Sequence, residues 1–312
     1  MKRFIFKILV FSSIVFLCSA IVWRFLVNNI NDYCIHSHET NVYKQIERLD
    51  TMASPKIIII GGSGCGFGIC SPLLHKHFNM NVSNTGTHAG LGLYLQINLF
   101  RKYITTNDIV IVIPEYEQYT KLYYGDETAL RILTSTYLEG YKQLSFLQQM
   151  HLYKYVPMAF ADAQKCKGME IFGDTIPYAK EAVNEYGDVE RYANRNHENR
   201  EWKPNMLKGR ISDIPFFLLK DFNEECNEKQ AHLLIFPPAF RQEAFECNKS
   251  KIDEIWNWLE KHNLPIVSYP EAYMLPDSLY YDTDYHLTYE GVILRTNKLI
   301  ADIDSLALFK LQ

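Results

Sequence analysis

A serine set between glycines and a histidine set among aspartates stand near opposite ends of the chain. The first lies in Gly61-Gly62-Ser63-Gly64-Cys65-Gly66-Phe67-Gly68, the second in Tyr281-Asp282-Thr283-Asp284-Tyr285-His286-Leu287. A serine hydroxyl becomes a useful nucleophile when an imidazole within hydrogen-bond reach takes its proton and a third group orients that imidazole. Ser63, His286 and one of Asp282 or Asp284 supply those types. Glycines flanking Ser63 let the backbone turn tightly and let a substrate approach. A loop as short as 282–286 can set a carboxylate against one imidazole nitrogen while the other faces outward. Alone, His286 would read as a capping or packing histidine. Two acids within four residues of it, together with the Ser63 turn, favour the catalytic reading.

Two other readings of the glycine-rich turn fail on its own residues. A phosphate-cradling loop ends in Gly-Lys-Ser/Thr, and no lysine follows here until Lys76. A dinucleotide turn needs Gly-x-Gly-x-x-Gly and an acid about 20 residues on for the ribose. Gly62-x-Gly64 meets Phe67, Gly64-x-Gly66 meets Ile69 and Gly66-x-Gly68 meets Ser71, and no Asp or Glu occurs between Asp50 and Asp108. No nucleotide or other cofactor is expected. His36/His38 and His75/His77 have no matching cluster of acids or cysteines, so no metal site is expected either.

The elements around these residues must bring them together. Lys56-Ile57-Ile58-Ile59-Ile60 is an unbroken β-branched run, the pattern of a parallel strand buried on both faces. It delivers Ser63 to the strand's carboxyl end, where open α/β sheets bind ligands. The pattern then predicts a short helix over 72–77, a strand over 81–84, a helix over 91–103 and a third buried strand over 109–113. After a break it resumes with a helix over 216–227, a strand over 232–236, a helix over 252–262, a strand over 266–268 and a last helix over 289–303. This alternation predicts an α/β fold: a parallel sheet in a three-layer α/β/α arrangement, with right-handed crossovers. The break, about 115–205, is rich in Tyr, Lys and Glu. It reads as a largely helical insertion or lid, with helices over 127–150 and 175–184. The predicted organisation is an N-terminal targeting segment (1–28), a linker (29–53) with a helix over 42–52, and the α/β domain with its insertion (54–312).

Met1-Lys2-Arg3 and Lys7 precede an apolar run over 8–23, closed by Arg24. Positive charge ahead of an apolar stretch keeps the N-terminus in the cytoplasm and sends the downstream chain across the membrane. The run reaches the roughly 20 residues of a full span if Arg24 snorkels to the interface. An uncleaved signal anchor is the preferred reading, which makes the membrane a partner. The small-x-small triplet Cys18-Ser19-Ala20 gives the other: a protein secreted after cleavage following Ala20. Either way the domain is expected outside the cytoplasm.

Composition narrows the partners further. Of 312 residues, 47% are hydrophobic and 22% charged, as in an ordinary globular chain with a sizeable core. The formal net charge of −4 lacks the basic excess of a nucleic-acid binder. The 21 Tyr and 18 Phe suit carbohydrate stacking as well as core edges. Seven cysteines without a Cys-x-x-Cys pair form neither a disulfide framework nor a zinc ribbon.

Taken together, the Ser63 turn, Asn84-Thr85-Gly86 and the Asp/His loop resemble the SGNH/GDSL-type hydrolases. The chain is more particularly similar to exported relatives that work on bacterial cell-surface polysaccharides, such as the alginate O-acetylation proteins and the D-alanyl transfer protein of teichoic acid assembly. The resemblance covers about 56–114 and 216–303. It implies an SGNH (flavodoxin-like) fold with Ser63 as nucleophile, His286 as base, Asp282 or Asp284 as its orienting acid, and Gly86 in the oxyanion hole. It also implies an acyl-ester substrate on a glycan, passed to water or to a sugar hydroxyl, and a partner acyl-transfer membrane protein. The chain departs from the family at two places. Thr283 replaces the usual Asp of Asp-x-x-His, which leaves Asp282 and Asp284 both open. The third block reads Pro114-Glu115-Tyr116-Glu117, without its oxyanion-hole asparagine. A carboxylate beside a developing oxyanion is unfavourable, so Glu115 is expected to bind elsewhere, leaving the backbone N–H groups of Gly64 and Gly86 as donors. These departures motivate a rival reading: a non-catalytic envelope protein that keeps the fold and binds a glycan or protein partner.

Overall fold

The computed structural model describes residues 2–29, 37–135, 140, 144–166, 178–190 and 203–306. Helix α1 (Lys2–Asn29) contains a 24-residue stretch, Lys2–Phe25, long and apolar enough to cross a membrane. Its apolar side chains from Phe4 to Leu17 are exposed, while Trp23 packs near Leu130, Val156 and Ala159 of the domain. Helix α2 (Asn41–Thr51) falls where a linker helix is expected, yet it is part of the core. Its apolar positions Val42, Ile46 and Leu49 are buried, and Gln45 Oε1 accepts a bond from the Ser83 hydroxyl at 2.9 Å.

Strand β1 (Lys56–Gly61) leads into a single helical turn, α3 (Ser63–Gly66), then α4 (Ser71–Phe78) and β2 (Asn81–Asn84). Helix α5 (Leu93–Phe100) and β3 (Ile109–Ile113) complete the first half. In the interruption lie α6 (Glu127–Ser135), α7 (Phe146–Tyr153) and α8 (Val156–Cys166). The second half runs α9 (Ile214–Glu228), β4 (His232–Ile235), β5 (Phe240–Arg241), α10 (Gln242–Lys261), β6 (Met274–Leu275) and α11 (Tyr289–Ser305).

All four strands of the main sheet are parallel, in the order β2-β1-β3-β4. Side chains alternate between its faces. Ile58, Ile60, Val110, Val112 and Leu233 point into a core shared with α2, α5, α9 and α10. Ile57, Ile59, Ile109, Ile111 and Leu234 point the other way, toward Leu74 of α4 and Leu299 and Ile303 of α11. Helices on both faces require strands apolar on both sides, which is why the isoleucine run is unbroken. The fold is α/β, in three layers.

The chain steps from β1 outward to β2, then returns past β1 to add β3 on its other side. That reversal opens a crevice at the carboxyl ends of β1 and β3. Gly61 is the register partner of Ile113, so residues just beyond them, Ser63 and Glu115, emerge side by side. The opposite end of the same strand pair is closed by a buried ion pair, Lys56 Nζ to Asp108 Oδ2 at 2.8 Å.

Further expectations differ from the structure: the helix expected over 127–150 is interrupted, since α6 ends at Ser135 and α7 starts at Phe146, capped by Ser145. Residues 266–268 form no strand; Ile266 makes one parallel bridge to Ile235. The helix expected over 175–184 lies outside the described residues up to 177, and beyond them only a 3-10 turn, Lys180–Ala182, is helical. Residues 178–190 instead form a strap stitched to the site. Val189 N–H bonds Gly66 O at 2.9 Å, His38 N–H bonds Tyr178 O at 2.8 Å, and the buried Asp188 accepts the Ser71 hydroxyl at 2.7 Å. Finally, α10 begins ten residues earlier than the apolar pattern indicates, at Gln242 rather than 252.

Candidate active site

Ser63 opens the α3 turn directly beyond β1, with Gly62 ahead of it in extended backbone. The turn closes through Cys65 N–H to Gly62 O at 3.0 Å and Phe67 N–H to Ser63 O at 2.8 Å. Close packing demands glycine at two positions. A Cβ on Gly62 would stand 2.3 Å from Glu115 Oε1, and one on Gly86 would stand 2.3 Å from Cys65 Cβ and 2.8 Å from Gly62 O. From beneath, Arg295 of α11 donates to the Gly64 carbonyl at 2.5 Å and fixes the far side of the turn.

His286 sits in the loop before α11, held by an antiparallel bridge between Tyr280 and Leu287. Thr283 shapes this loop: its hydroxyl oxygen accepts the N–H groups of Tyr285 at 3.2 Å and His286 at 3.0 Å. Such a hydroxyl-capped turn swings the imidazole inward, where it stacks on Phe67 with ring centroids 4.1 Å apart and planes 12° from parallel.

The imidazole bridges the serine and one of the two aspartates. His286 Nε2 lies 2.9 Å from Ser63 Oγ, and Nδ1 lies 2.9 Å from Asp282 Oδ1. A carboxylate can only accept, so Nδ1 carries the hydrogen and the Nε2 lone pair faces the Ser63 hydroxyl. The Tyr178 hydroxyl donates to the other Asp282 oxygen and stands 3.2 Å from His286 Nδ1. Asp284 points elsewhere. Its carboxylate accepts from Arg241 Nε at 2.5 Å and from Asn205 N–H at 2.6 Å, in a buried clamp that ties the loop to β5. The geometry thus groups Ser63, His286 and Asp282 and leaves Asp284 out.

Glu115 is not directed away. Its Oε1 accepts the Gly64 N–H at 2.8 Å and stands 3.3 Å from Ser63 Oγ. Burial, reinforced by the neighbouring Glu117 carboxylate, pushes Glu115 up to about 7. The register of β1 against β3 brings residue 115 out beside Ser63. As a result, the Gly64 amide expected to face an oxyanion is occupied by a side chain. The Gly86 amide is engaged too, donating to Asn84 Oδ1 at 3.1 Å.

No family model and no curated protein matches the chain. Among solved structures it is similar to a protein from Bacteroides fragilis titled "putative acylhydrolase", at 10% identity and a TM-score of 0.39, over 83% of this chain and 94% of that one.

Above Ser63 and His286 opens a cavity of about 400 Å³, to which His38, His88, Glu117, Lys121 and Asn205 contribute. Burial lowers His38 to about 4 and lowers His88 as well, so the cavity presents neutral imidazoles. Among the described residues, no group of three or more His, Cys, Asp or Glu is arranged to hold a metal ion; His36 lies outside them. Sequence reasoning did not find Tyr178, His38, Phe67 or Arg295. Phe67 had a signal, since it stands inside the glycine-rich turn. Tyr178 comes from a segment with no local pattern, and His38, noticed only as half of a His-x-His pair, reaches the site through tertiary packing.

Proposed function

We propose that the chain is a serine acyl-ester hydrolase or O-acyltransferase of the SGNH kind. We further propose that it is held by α1 on the extracytoplasmic side of a membrane and acts on a cell-surface glycan. The observation that carries this reading is the unbroken relay from Ser63 Oγ through both imidazole nitrogens to Asp282, each contact 2.9 Å. In this mechanism Ser63 Oγ attacks the acyl carbon while its proton passes to His286 Nε2, and Asp282 stabilises the imidazolium. Collapse of the tetrahedral intermediate breaks the ester bond, and His286 returns the proton to the departing alkoxide. The acyl-Ser63 ester is then cleaved by water, or by a sugar hydroxyl in the transferase case, with His286 again as base. Polar groups of Tyr178, Glu117 and Asn205 on the wall of the 400 Å³ cavity suit a hydroxyl-rich substrate. A partner acyl-transfer membrane protein would supply the donor ester. A fluorophosphonate probe tests the reading: wild type is expected to label and Ser63→Ala not to, and an unlabelled, folded wild type refutes it.

One observation favours a second reading. The Gly64 and Gly86 amides are both engaged by side chains, so neither of the two expected donors is free for an oxyanion. A non-catalytic envelope protein that binds a glycan or protein partner on this fold would have that property. Glycan or partner binding that survives in a Ser63→Ala, His286→Ala double variant, with no labelling of wild type, is the result that would select it.

A further inference from the structure

We propose that Glu115 is a further catalytic residue of this site, active as the neutral carboxylic acid and blocking as the carboxylate. The inference rests on the serine-nucleophile reading above. Ser63 has one hydroxyl hydrogen and two acceptors in reach: His286 Nε2 at 2.9 Å and Glu115 Oε1 at 3.3 Å. A charged carboxylate makes the stronger hydrogen bond, so ionised Glu115 draws the proton from the base that must take it. It would also set a negative charge beside the oxyanion that forms on the acyl carbon. The acid form does neither. Its O–H is a donor where the engaged Gly64 and Gly86 amides offer none, and burial can keep a carboxylic acid neutral for that purpose. Proton accounting stays simple: the Ser63 proton moves to His286 Nε2 and on to the leaving alkoxide, while Glu115 keeps its own throughout.

The surroundings support this assignment. Glu115 is buried, and its carboxyl lies where a Cβ on residue 62 would fall, so glycine there makes room for it. Charged and titratable groups face it from every neighbouring element: Glu117 on its own turn, Cys65 on α3, Tyr285 and His286 on the loop, and Arg295 on α11. His88 faces the cavity opposite. Burial and Glu117 favour the acid, while the Gly64 N–H, the Ser63 hydroxyl and Arg295 oppose them, leaving Glu115 at about 7.

The experiment is the pH dependence of fluorophosphonate labelling from about pH 5 to about pH 9 in wild type, Ser63→Ala and Glu115→Gln. Wild-type labelling is expected to fall about tenfold per pH unit on the alkaline side of the Glu115 titration. Glu115→Gln keeps a carbonyl oxygen for Gly64 and an N–H donor but cannot ionise, so its alkaline limb should vanish. The same limb in both proteins overturns the inference while leaving Ser63 as nucleophile. If Glu115→Gln does not fold, infrared spectra of wild type decide. A protonated-carboxyl band must disappear over the interval in which labelling falls, and its absence or an unrelated titration overturns the inference. A folded wild type that labels at no pH refutes the nucleophile reading itself, and the inference with it.

Discussion

Two aspartates separated by a single residue, Asp282 and Asp284, should behave as different classes of mutant. Asp282 bonds the imidazole nitrogen remote from Ser63, at 2.9 Å, and receives the Tyr178 hydroxyl. In Asp282→Asn the amide can present its N–H₂ to Nδ1 and so favour the wrong imidazole tautomer. Loss of the orienting carboxylate in such a relay costs about 10⁴ in rate, or about 5 kcal/mol of barrier. The Tyr178 oxygen, 3.2 Å from Nδ1, still offers an acceptor, so a fall of about 10³ is expected here. Asp284 is 4% exposed and makes an ion pair with Arg241, which is 3% exposed. Asp284→Asn leaves that guanidinium to the half-exposed Glu243 and Asp277. Breaking a buried pair from one side costs about 3 kcal/mol or more, which for a domain of this size lowers Tm by about 6–12 °C. The assay pairs the second-order labelling rate of each folded variant with its thermal melt. Asp282→Asn should label slowly and melt near wild type; Asp284→Asn should label at close to the wild-type rate and melt early. The reverse pattern would refute the assignment of Asp282 as the orienting acid.

Gly86→Ala should lower stability by about 1–3 kcal/mol or more, since overpacking at this point meets rigid neighbours, Cys65 Cβ, Gly62 O and Gly66 N, rather than a movable side-chain tip. A thermal melt within a degree of wild type would contradict it. Stability should also carry the signature of Glu115, raised from 4.5 to about 7 in the fold. An acid with a raised folded value holds its proton longer in the native state, so its contribution is fully present below about pH 4.5. That contribution is lost as pH rises toward 7, amounting to up to about 3 kcal/mol. Melts of Glu115→Gln should therefore gain on wild type across that window and run parallel to it above; a constant difference from pH 4 to 8 would show that Glu115 does not titrate there.

The sheet was legible because its physics is local. Five consecutive buried positions in β3, Ile109–Ile113, can be filled only by residues apolar on both faces, and a β-branched run states that directly. The first ten residues of α10 were not legible. Only Ala244, Phe245 and Asn248 are buried there, too sparse a stripe to mark a helix. At 266–268 the apolar residues are real, but Pro265 lies just before them and they make a single bridge. Ser63 and His286 could be found from residue type and context. The choice between Asp282 and Asp284 could not, because it depends on Thr283 capping two successive amides and on Arg241 claiming the other carboxylate. Neither contact has a spacing signature.

Glu115 shows the same limit more sharply, and it bears on what the site can do. Electrostatic reasoning from sequence sends a carboxylate away from a developing oxyanion, and for a charged one that reasoning is sound. It omits that the pairing of Gly61 with Ile113 fixes where residue 115 must emerge. There the side chain is buried and accepts the Gly64 N–H, and what it does to Ser63 turns on its protonation. Asp282 and Glu115 then flank one serine–histidine pair in unlike settings. The first accepts bonds from Nδ1–H and a tyrosine hydroxyl at the loop; the second is buried beside another carboxylate and accepts the Gly64 N–H and the Ser63 hydroxyl. Such a difference in surroundings lets one carboxyl serve as the anionic orienter and the other as a neutral donor. If both were anions, the site would carry two charges around one serine proton, with the Gly64 and Gly86 amides both engaged elsewhere. The second reading of the protein would then be the better one.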